Sequence, residues 1–134
     1  MIQEFVSLWD KNKDKLRLAL SESKDRYCSY EHLLKLLVAN VLHDEEEYGS
    51  PDPDRIHQID DGHYQGTRFF IVGAAGSQPS QYWATKVSYG SCSGCDTMQA
   101  IMSDGDYDSD KYSEKQIDDL MTLALHMLQR FKEV

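Results

Sequence analysis

A chain of 134 residues, 40% hydrophobic and 28% charged, has the composition of one folded domain, and neither that of a disordered segment nor the length of two domains. Its 23 acidic and 14 basic side chains leave a formal charge of -9, so the summed field repels phosphate backbones and anionic lipid unless a local basic patch intervenes, and direct nucleic-acid binding is disfavoured. No window approaches the roughly 18 apolar residues of a membrane span, and the opening MIQEFVSLWDKNKDK is amphipathic and charged, unlike a signal peptide, so a single cytoplasmic domain over residues 1–134 is expected.

In the first 21 residues the apolar positions Ile2, Phe5, Val6, Trp9, Leu16, Ala19 and Leu20 recur at intervals of three and four, the face of an amphipathic helix. Ser29 is a good N-cap for a second helix, with Glu31 in its favourable first turn and Leu33, Leu34, Leu37, Val38, Val41 and Leu42 turned inward. The run DEEEYGSPDPDR stops it: acids oppose the macrodipole at a helix C-terminus, and Gly49, Pro51 and Pro53 cannot continue the helix.

From Arg55 the pattern turns to strands. RIHQI and YQGTRFFIV flank Asp61-Gly62, a two-residue hairpin signal, and after the loop GAAGSQPSQ the run YWATKVSY sets Trp83, Thr85, Val87 and Tyr89 on one face. Aromatics on such a meander, among them Tyr82, Trp83, Phe69 and Phe70, read as core rather than as a base-stacking surface. CDTMQAIMS follows as a short helix. Ser113 with Gln116 forms a capping box that opens a last helix burying Ile117, Leu120, Met121, Ala124, Leu128 and Phe131. The expected fold is α+β, a three-stranded antiparallel meander covered by helices in the order α-α-β-β-β-α-α.

Two of the three cysteines form a CxxC, Cys92 and Cys95, between the last strand and the short helix; the odd total argues against a disulfide framework, and Cys28 reads as a small buried hydrophobe. If the strands Tyr64 to Val72 and Tyr82 to Tyr89 pair antiparallel, His63 comes near Gly90 and Ser91, and the first hairpin turn meets the CxxC. Zinc suits this set, because two thiolates with an imidazole or carboxylate match its preference for four N, S and O ligands. His63 is the first choice for third ligand and Asp61 a weaker fourth, with His43, His57 and Asp60 as alternatives. Such a site is structural, since no HExxH or HxE context supplies a base. Two other uses of the same residues stay open: a thiol redox pair, for which the fold lacks the βαβ unit, and a tight turn over two buried cysteines.

The loop SDGDYDSDKYSE alternates Asp104, Asp106, Asp108 and Asp110 but lacks the Gly and Glu that an EF-hand needs at its sixth and twelfth positions. With Asp44, Glu45, Glu46 and Glu47 it forms a candidate acidic docking surface for a protein with a basic groove. No phosphate-binding lysine follows the glycines of GAAGSQPSQ, and no GxSxG elbow is present.

From Asp60 to Ile101, about a third of the chain, the sequence DDGHYQGTRFFIV…PSQYWATKVSYGSCSGCDTMQAI resembles a group of small proteins encoded by bacteriophages and prophages, in which YGSCSGCDT follows a strand and precedes QAI. The resemblance implies the cytoplasm of an infected bacterium. By analogy with other small acidic phage proteins, it implies a non-enzymatic inhibitor of a host defence protein, such as an anti-CRISPR protein acting on a CRISPR-associated nuclease. The rival expectations are a thiol oxidoreductase or zinc-dependent enzyme using the CxxC, and a phage assembly component.

Overall fold

A computed structural model describes residues 2–22, 29–43, 50–60, 66–74, 81–89, 97–103 and 111–133. Helix α1 (Ile2–Glu22) turns Phe5, Trp9, Leu16 and Leu20 into the core, the face that the three-and-four spacing marks. Helix α2 (Tyr30–Leu37) starts where the Ser29 hydroxyl accepts the His32 N–H at 3.0 Å, which satisfies one of the donors left free at a helix start. It then widens into a π-helical turn at Val38–Leu42, a change the apolar periodicity does not announce. All six residues expected to face inward on this helix are buried. Asn12 of α1 donates to the Val41 carbonyl at 3.1 Å, pinning the widened turn to its neighbour.

Three strands follow: β1 (Pro51–Asp60), β2 (Gly66–Ala74) and β3 (Tyr82–Tyr89), paired as an antiparallel meander. Strand β1 begins four residues before the expected Arg55 and contains Pro51 and Pro53. They are tolerated because β1 is an edge strand, where a missing N–H removes no ladder bond, and the register shifts between Pro51 and Ile56. A fourth strand, β4 (Lys132–Glu133), adds two residues opposite Trp83 and Ala84 and gives the order β1-β2-β3-β4. A segment this short carries no alternation to read, so the sequence does not reveal it.

Phe70, Val72, Trp83, Thr85 and Val87 point from the sheet into the core, where Phe5 packs edge-on against Trp83 at 5.9 Å and Phe131 at 5.7 Å between ring centroids. The expectation that the sheet aromatics are all core is corrected here. Phe69 and Tyr82 alternate to the opposite face and stay 38% and 39% exposed, because neighbouring strand residues point to opposite sides.

Helix α3 (Thr97–Ser103) buries Met98 and Ile101, and the Met98 N–H donates to the Tyr30 hydroxyl at 3.1 Å. Helix α4 (Glu114–Gln129) opens on the capping box, with the Gln116 N–H donating to Ser113 Oγ at 3.1 Å and the Ser113 N–H donating to Gln116 Oε1 at 2.9 Å. It buries Ile117, Leu120, Ala124 and Leu128 as expected, together with Leu123 and Met127. Met121 is only half-buried, and Phe131 is buried just beyond the helix end.

Gln116 does more than cap. Its side chain is 3% exposed, and Nε2 donates to the Ile101 carbonyl at 3.2 Å, tying the end of α3 to the start of α4. Gln116→Leu removes the acceptor for Ser113 and strands a buried carbonyl, so it should cost about 2–3 kcal/mol in urea unfolding. Ser113→Ala, which loses only the cap, should cost about 1 kcal/mol.

Across the core the Thr85 hydroxyl donates to the Met127 carbonyl at 2.8 Å, joining β3 to the last turn of α4. The Arg17–Asp118 ion pair between α1 and α4 is exposed on both sides and contributes little beside these buried links.

Candidate functional site

A cleft of about 500 Å³ opens between β3, α3 and α4. Its floor is apolar, formed by Tyr30, Val87, Ile101 and Leu123, and its rim is polar, formed by Lys115, Asp119, His126 and Arg130. Lys115, Asp119 and His126 are spaced by four and seven, which puts them on one stripe of α4, and Arg130 continues the spacing at its C-cap. Lys115 Nζ lies 3.2 Å from Asp119 Oδ2 one turn on, and the Arg130 guanidinium donates to the Lys86 carbonyl at 3.3 Å.

The Thr122 hydroxyl donates to the Asp118 carbonyl at 3.1 Å, so it is engaged with its own helix rather than with His126. The cleft therefore offers a binding surface of ligand size with cations at both ends of its rim, and the Thr122 hydroxyl and His126 imidazole that line it form no relay.

The sequence-derived metal set, Cys92, Cys95, His63 and Asp61, lies outside the described residues, as do the docking residues Asp44, Glu45, Glu46 and Glu47 and Asp104, Asp106, Asp108 and Asp110, and Cys28 with them. What is described is the sheet whose strands flank, in the chain, the segments holding Asp61, His63, Cys92 and Cys95. Gly66 pairs with Tyr89, and Asp60 with Arg68, in the antiparallel register from which the metal reading starts. All three alternative ligands lie on described residues, Asp60 at the register position just given. His43 Nδ1 lies 2.9 Å from the Pro51 carbonyl, where it serves as a donor, and His57 is exposed on β1 opposite Ile71. Among the described residues no group of three His, Cys, Asp or Glu side chains could hold a metal ion. Among them, too, no helix is long and apolar enough to cross a membrane.

Sequence reasoning missed the cleft. Its rim residues look like the solvated face of an amphipathic helix, and only the packing of α3 and β3 beside α4 makes that face concave. Comparisons with protein-family models, with curated proteins and with solved structures find no match.

Proposed function

We propose that the chain is a non-enzymatic phage protein of the bacterial cytoplasm that binds a host defence protein through a basic surface on that partner, such as a CRISPR-associated nuclease, and inhibits it stoichiometrically. The observation that carries this reading is the distribution of charge. Of the 23 acidic side chains, eight fall in two short runs, Asp44 to Glu47 and Asp104 to Asp110. Runs of this kind complement the cationic channel in which a nuclease holds nucleic acid, and complementarity of that sort speeds encounter and fixes orientation. Direct nucleic-acid binding by the acidic runs is disfavoured on the same ground.

A structural zinc at Cys92, Cys95, His63 and Asp61 belongs to the proposal. In its support, the segment holding His63 and the segment holding the two cysteines join the sheet at Gly66 and Tyr89, the two partners of one strand pair. The ligand types suit a closed tetrahedral zinc.

The test is a titration of the chain into reconstituted nuclease–guide complexes. Reversing the four charges of either run to lysine should weaken inhibition by about tenfold or more, and raising the salt should weaken the unmodified chain in the same direction. Inhibition indifferent to both changes would remove the electrostatic basis of the reading.

A further inference from the structure

The face of the sheet turned away from the helices carries a pattern that the acidic runs do not explain. Residues directly opposite one another on neighbouring strands share a face, and the register gives two rows across this one. Ile59, Phe69 and Lys86 form the first, and His57, Ile71, Ala84 and Lys132 the second. Beyond them Tyr82 stands opposite Gly73, where a Cβ would meet Tyr82 Cε1 and Arg55 Cβ at 3.4 Å each, so the tyrosine ring and the Arg55 stem close over the glycine.

Four large hydrophobic side chains are markedly exposed among the described residues: Leu18 at 59% on α1, and Ile59 at 52%, Phe69 at 38% and Tyr82 at 39% on this face. Single exposed apolar residues are ordinary, whereas three gathered on one sheet face, with half-buried Ile71 and Ala84 between them, make a patch of the kind that marks an interaction surface.

Charge identifies the occupant. In a chain of net charge -9, this face carries Lys86 and Lys132, both exposed, and among the described residues neither has an ion-pair partner. Arg55 stands at the margin, its Nε 3.2 Å from Asp52 Oδ2. An apolar centre with a cationic border calls for an apolar partner with an anionic border.

A second copy of the same face has no carboxylate in either row to meet the lysines. A single-stranded nucleic acid would find aliphatic Ile59, Ile71 and Ala84 where it needs stacking rings, and the field of an acidic chain around it. A helix laid across a bare sheet face is the common way such a face is covered.

We propose that the face of the sheet turned away from the described helices docks an amphipathic helix of a partner protein, its apolar stripe seated on Ile59, Phe69 and Tyr82 and its Asp or Glu flanks meeting Lys86 and Lys132. None of its residues belongs to the acidic runs, so its variants leave the residues of the reading above unchanged.

The test selects binders for the purified chain from a random library of peptides about 16 residues long, enough for four helical turns. The enriched peptides should carry apolar residues at three-and-four spacing flanked by Asp and Glu. Their affinity, read by fluorescence anisotropy, should fall about tenfold or more in Ile59→Ser/Phe69→Ser and again in Lys86→Glu/Lys132→Glu. The four positions are solvent-facing, and unchanged circular dichroism will show that the variants fold.

The proposal is overturned by basic or random enriched sequences, by no enrichment, or by affinities that neither double variant changes. It is equally overturned by oligo(dT) binding that the lysine variant abolishes while acidic peptides do not bind, which would assign the face to nucleic acid. A concentration-dependent dimer in sedimentation, lost in the Ile59/Phe69 variant, would assign it to a second copy and overturn it as well.

Discussion

Phe70→Ala will destabilise the chain by about 3–5 kcal/mol, a large part of the whole stability of a domain this size. Phe70 is 0% exposed on β2, which is hydrogen-bonded on both sides, and its register partners are Gln58 on β1 and Thr85 on β3. Removing its ring opens a cavity that two neighbouring strands and the overlying helices hold too rigidly to collapse. In urea the midpoint should fall with the slope unchanged.

Phe69→Ala one residue earlier should cost less than about 1 kcal/mol, because that ring faces the helix-free side and is 38% exposed. The pair of results reads the register directly, since a one-residue slip would exchange the two values.

A comparable loss is expected from metal removal. The proposed zinc binds the folded chain and has no preformed site in the unfolded one, so a free concentration about a thousand times its dissociation constant adds about 4 kcal/mol. A chelator should take that away and lower Tm by about 10–20 °C. Cys92→Ser should show the lowered Tm without chelator and no further response to it. Metal analysis of the purified chain should find about one zinc in the wild type and none in the variant.

The local rules of the sequence carried over where a single element decides the outcome. Ser29 and the Ser113/Gln116 pair form the caps that their side-chain chemistry implies, and Trp83, Thr85 and Val87 share the buried face that their alternation implies. Features that depend on two elements at once were not legible. Phe69 and Phe70 are the same residue type in adjacent positions, so composition cannot say which faces the helices; the pairing with Lys86 and Thr85 does.

The prolines of β1 look like helix-stopping loop residues until an edge position makes them harmless, and the π-helical turn at Val38–Leu42 is stabilised by Asn12 from a different helix. The cleft along α4 and the cationic outer face of the sheet are of the same kind. Lys86 is more than forty residues from Arg130 and Lys132 in the sequence, and the three come together at the β3 side only through folding.

The proposed inhibitor acts by occupying a partner rather than by turning over a substrate. The most direct measurement is the number of nuclease complexes that one chain inactivates, followed over time with purified components. The account predicts a titration that saturates at about one chain per complex, reaches its end at once, and is relieved by added DNA competing for the same cationic channel. A substoichiometric amount of chain that goes on inactivating complexes with time would contradict it, as would a chain that inhibits none of the CRISPR-associated nucleases offered to it.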